Sequence, residues 1–97
     1  MSQAIACNSD NPEMWYGRGN VNFQCGEYAN AVSDLTEAIK RNNRNPLYYE
    51  MRGLAYMRIG DRSSFEACVQ DFNRVLELSP SNADAAKNRD LCQQRLK

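Results

Sequence analysis

Residues 12–40, PEMWYGRGNVNFQCGEYANAVSDLTEAIK, recur further along the chain. Thirty-four positions on, Trp15 meets Tyr49, Arg18 meets Arg52, Gly19 meets Gly53 and Gly26 meets Gly60. Thirty-seven positions on, Tyr28 meets Phe65, Ala31 meets Cys68, Val32 meets Val69, Asp34 meets Asp71, Leu35 meets Phe72, Ala38 meets Val75 and Ile39 meets Leu76. Three extra residues, at about 62–64, separate the two registers. A fixed period of this length marks an architecture of stacked units that cannot bury their apolar faces alone.

Each unit reads as two helices. Pro12 suits a first helical position, Trp15, Gly19, Asn22 and Phe23 follow at helical spacing, and Gly26 breaks the run. A second helix runs from about Tyr28 to Lys40, with Ala31, Leu35 and Ala38 on one face. The next unit repeats the plan, with a helix over about 46–59, a turn at Gly60-Asp61 and a helix over about 64–78 that Pro80 stops. Ser63, with Glu66 three residues on, reads as a capping box for that helix.

These residues resemble the tetratricopeptide repeat, whose pattern asks in order for an aromatic, a small residue, glycine, an aromatic, a small residue, a large apolar residue, a small residue and proline. Trp15, Gly19, Gly26, Tyr28, Ala31, Leu35 and Ala38 comply, with Asn43 replacing the proline. In the second unit Tyr49, Gly53, Tyr56, Gly60, Phe65, Cys68, Phe72 and Pro80 comply, and Val75 is larger than usual. The resemblance implies an all-α fold, an α-solenoid of antiparallel helix hairpins. It divides the chain into 12–45 (first repeat), 46–82 (second repeat, with the insertion near 62–64) and 83–97 (a capping helix with a charged outer face at Asp90). Residues 1–11 align with the end of a repeat, so the chain reads as cut from something longer, with an edge open to self-association and the 61–64 turn as a hinge.

Composition narrows the function. The 12 basic and 12 acidic side chains cancel, so neither nucleic acid nor an anionic membrane is expected as a partner. Apolar runs are a few residues long, against the about 20 that span a bilayer. Four cysteines, Cys7, Cys25, Cys68 and Cys92, include no CxxC pair, and the chain has no histidine, so no metal and no cofactor is expected. The cysteines read as reduced packing residues of a protein in the cytoplasm or another reducing compartment. No nucleophile has a base beside it in sequence, and the chain reads as a non-enzyme.

What the family resemblance does imply is a protein–protein interaction module, a scaffold or adaptor. In that family the first helices line a concave groove that holds a peptide. The corresponding positions here include Tyr16, Asn20, Phe23, Leu47, Glu50, Leu54, Met57, Arg58, Lys87 and Leu91. Co-chaperones of the family clamp an acidic chaperone tail with lysine, asparagine and arginine at five groove positions. Those positions hold Tyr16, Asn20, Met51, Asp84 and Asn88, and only Asn20 fits. Arg18 with Asp34, and Arg52 with Asp71, sit at matching places in the two units and read as structural ion pairs.

Overall fold

The computed structural model describes residues 11–97. The expected repeat tail at the N-terminus lies outside the described residues, except for Asn11. Five helices follow in order: α1 (Pro12–Gln24), α2 (Tyr28–Arg41), α3 (Pro46–Ile59), α4 (Arg62–Leu78) and α5 (Ala83–Arg95). No strand occurs among the described residues, and the fold is an all-α solenoid.

The helices that open each unit begin in the same way. Asn11, Asn45 and Asn82 sit at the N-caps of α1, α3 and α5, where each side chain accepts a backbone N–H, from Glu13 at 2.9 Å, Leu47 at 3.0 Å and Ala85 at 3.0 Å. Each cap satisfies a donor that the first turn would otherwise leave open. The hairpin turns place Gly26 at φ 82° and Gly60 at φ 80°, a left-handed conformation that L side chains rarely take.

Within each hairpin the two helices run antiparallel and approach closely. A Cβ on Gly53 would stand 2.8 Å from the Phe72 ring, and one on Gly19 would stand 3.0 Å from Leu35 Cγ. Glycine at these places lets a buried large residue of the second helix lie against the backbone of the first. Two apolar clusters result. Ala31, Leu35 and Ala55 join the hairpins to each other, and Tyr49, Cys68, Phe72, Val75, Ala85 and Cys92 bind the second hairpin to α5.

Two expectations are corrected. The helix expected from about Ser64 begins at Arg62, and its N-cap is Asp61, whose carboxylate accepts the Ser64 N–H at 2.7 Å. Ser63 and Glu66 are exposed and form no capping box with each other. The inserted residues therefore lengthen the first turn of α4. The cysteines are also not all reduced: Cys68 of α4 and Cys92 of α5 form a disulfide, while Cys25 is free and exposed. Both paired residues are fully buried, as packing cysteines would be. What a linear reading misses is that antiparallel α4 and α5 bring them face to face across 24 residues of sequence.

Candidate functional site

The helices α1, α3 and α5 carry the groove residues expected from the sequence. Tyr16 of α1 lies on Tyr48 of α3, with ring centroids 5.2 Å apart. Phe23 meets Tyr28 edge-on at 5.3 Å, and the Arg58 guanidinium lies over both rings, at 5.6 and 6.0 Å. Tyr16 and Phe23 are half-buried against the cluster between the hairpins, and Leu54 and Met57 against the second cluster. These four side chains therefore serve the core as well as the surface. The apolar positions that stay open are Leu47, 51% exposed, and Leu91, 43% exposed. Asn20 and Glu50 are half-buried, and Lys87 and Arg58 are exposed.

Charge is sorted along these helices. Glu13 and Asp84 stand in the first turns of α1 and α5, whereas Arg58 and Arg95 stand in the last turns of α3 and α5. Each sign lies where the helix dipole favours it. Acidic side chains thus open α1 and α5, and guanidiniums close α3 and α5.

Between α3, α4 and α5 the surface dips. Met57, Phe65, Leu91 and Arg95 line a pocket of about 120 Å³. The sequence places Phe65 only as the aromatic at the start of the second helix of its hairpin, and nothing in its spacing says that it borders a cavity. Arg95 follows Leu91 by four residues, which puts both on one side of α5, and that spacing was the available signal. Tyr48 was not singled out either. It is buried at 1% exposure, and burial pushes its phenol above the ordinary value.

The two repeated charge pairs lie inside the hairpins, away from that pocket. Arg18 Nε reaches Asp34 Oδ2 at 3.2 Å, and Asn22 Nδ2 donates to the same oxygen at 2.7 Å. Arg52 grips Asp71 with two nitrogens, Nε at 2.9 Å and Nη2 at 2.7 Å, and its Nη1 donates to Thr36 Oγ1 at 3.1 Å. Burial pushes the Asp71 carboxyl up, and the donors of Arg52 work against that penalty. Among the described residues, no group of three His, Cys, Asp or Glu is placed to hold a metal ion, and no helix is long and apolar enough to cross a membrane.

Residues 19–60 match the family model described as TPR repeat. The heat shock protein sti1 homolog of Schizosaccharomyces pombe is 34% identical over 68 residues, which cover 70% of this chain and 11% of that protein. Hsp70-Hsp90 organizing protein 2 of Arabidopsis thaliana is 34% identical over 64 residues, covering 66% of this chain and 11% of that protein. The chain thus spans about a tenth of the length of these curated relatives. Among solved structures, the first TPR of Spaghetti (RPAP3) bound to the HSP90 peptide SRMEEVD superposes with a TM-score of 0.89 at 27% identity, over 98% of this chain and 73% of that one. The Arabidopsis OM64 TPR domain superposes with a TM-score of 0.82 at 27% identity, over 92% and 71%.

Proposed function

We propose, from the premise that this chain belongs to the tetratricopeptide repeat family, that it is a protein–protein interaction module whose groove along α1, α3 and α5 holds a peptide segment of a partner protein. The observation that carries the reading is that Leu47 and Leu91 stay open on α3 and α5, helices whose last turns carry the guanidiniums of Arg58 and Arg95. A desolvated apolar centre inside a charged rim is the usual anatomy of a binding surface. Tyr16, Asn20, Phe23, Leu54 and Met57 form its floor, and Glu50, Arg58 and Lys87 its rim. The division into two repeats, 12–45 and 46–82, and a cap, 83–97, belongs to this proposal, and the turn chemistry at Asn45 and Asn82 supports it. We read the module as acting by binding, without catalysis.

The relatives' names and the peptide bound to the structural neighbour support a role beside chaperones. They do not supply a clamp for an acidic tail, because Tyr16, Met51, Asp84 and Asn88 occupy four of its five positions. A chaperone-linked role for this chain runs through another surface. Self-association at the N-terminal edge is a second reading, favoured by the 60% exposure of Val21 on α1. For the compartment we carry forward the cytoplasm, supported by the exposed free thiol of Cys25, while the Cys68–Cys92 disulfide pulls the other way.

Selection from a displayed random-peptide library tests the groove. Peptides enriched on the wild type should be lost on a Leu47→Asp, Leu91→Asp variant and kept on a Ser33→Asp, Gln70→Asp variant, whose changes fall on exposed positions of α2 and α4. Circular dichroism should show equal helix in all three. Equal retention by both variants would sink the groove reading. A mass that rises with concentration in sedimentation velocity would favour self-association.

A further inference from the structure

We propose that the pocket between Met57, Phe65, Leu91 and Arg95 receives one aliphatic side chain, the size of Leu, Ile or Met, carried by an internal acidic segment of the partner. This rests on the groove reading and adds the chemistry of the occupant. The volume, about 120 Å³, sets the size. An apolar cavity of about 150 Å³ takes up a benzene molecule, so this pocket fits a branched aliphatic group and is too small for an indole. Three of its four lining residues are apolar, and Leu91, 43% exposed, sheds water when covered.

Charge sets the rest. Arg18, Arg41, Arg52, Arg62, Arg74 and Arg89 each lie within 4 Å of a carboxylate of this chain. Arg58, beside Met57, touches aromatic rings instead, and Arg95 makes no ion pair among the described residues. Arg95, without a carboxylate among the described residues, therefore lines the apolar pocket, and a guanidinium pairs with a carboxylate through two hydrogen bonds. Glu13 and Asp84, in the first turns of α1 and α5, repel the same ligand and turn its carboxylates toward Arg95 in the last turn of α5. The wall is also prebuilt. The disulfide holds α5 to α4 one residue from Leu91, and Arg62 Nη1 donates to the Leu96 carbonyl at 3.2 Å beside Arg95, so binding has little left to order. None of the five positions of the chaperone-tail clamp lines this pocket, so no free terminal carboxylate is required.

Fluorescence anisotropy with N-acetylated, C-amidated probes tests it. The probes are Ser-Glu-Asp-Leu-Asp-Glu-Ser, the same peptide with Leu replaced by Ala, and the same peptide with its acids replaced by Gln and Asn. The leucine probe should bind the wild type, and both altered probes should bind at least about tenfold more weakly. Leu91→Ser and Arg95→Glu, both at exposed positions, should each weaken the leucine probe about tenfold with unchanged helix content, whereas Leu47→Ser, outside the pocket, should cost about twofold or less. Loss on Leu47→Ser but not on Leu91→Ser would overturn the pocket and leave the groove standing. Failure of the wild type to hold the leucine probe, while library peptides still bind at the groove, would overturn the acidic-aliphatic occupant alone. Failure of both would remove the pocket and the groove together.

Discussion

In the first hairpin Arg18 reaches its aspartate with one nitrogen, and 51% of its side chain stays in water. In the second hairpin Arg52 reaches its aspartate with two nitrogens, and only 19% remains exposed. The two arginines occupy the same place in the repeat. Arg52 lies against the first hairpin, whose Thr36 accepts its third hydrogen bond. A repeat position thus takes its energetic weight from its neighbour in the stack, as expected where each unit touches only the next.

The largest test of that contrast removes each arginine in turn. Arg52→Met should cost about 3–5 kcal/mol in urea unfolding, because it strands the buried Asp71 carboxylate. Arg18→Met should cost about 1 kcal/mol or less, as at other half-exposed pairs, since Asn22 still serves Asp34. Equal losses would break the comparison. Next comes the disulfide staple between α4 and α5. Cys92→Ser should remove about 2–4 kcal/mol, and hydrogen exchange should quicken in residues 83–95 far more than in residues 12–41. A titration that finds four free thiols in the untreated protein would refute the bond itself.

The glycines sharpen the contrast at a smaller scale. Gly53→Ala should cost about 1–3 kcal/mol, because the added methyl meets an aromatic ring at 2.8 Å that has little room to move. Gly19→Ala, with 3.0 Å to a leucine tip, should cost less in the same thermal unfolding assay. Smallest is the effect of acid. Hydrogen bonds from the Ser64 hydroxyl and backbone N–H hold Asp61 below the usual carboxylate range, whereas Glu27 at the start of α2 makes no capping bond. A lowered folded value means that the contribution is complete above the unfolded carboxylate pKa and is lost as pH falls through the folded one. Acidification should therefore fray the first turn of α4 before it affects α2, as read by amide exchange, and Asp61→Asn should flatten that dependence.

Periodicity and glycine placement made the hairpins legible, because Gly19, Gly53, Leu35 and Phe72 are a local pattern with one packing solution. Helix starts were legible at Pro12 and Pro46 but not at Arg62, where Asp61 caps two residues earlier than the Ser63–Glu66 spacing suggests. The groove was only half legible. Its position along α1, α3 and α5 follows from the repeat, but which side chains stay open depends on three-dimensional neighbours: Tyr16, Phe23, Leu54 and Met57 sink toward the core while Leu47 and Leu91 remain exposed. The Cys68–Cys92 pairing and the border that Phe65 gives the pocket depend on how α4 and α5 face each other, and no short window of sequence contains that register.

The same disulfide changes how the chain would carry a load. A pull on its two ends reaches Cys68, crosses directly to Cys92 and continues, so the intervening segment bears no tension. In single-molecule stretching, about 80 Å of contour, the extended span of the 24 residues of separation, should stay hidden until a reductant is added and then appear as extra extension.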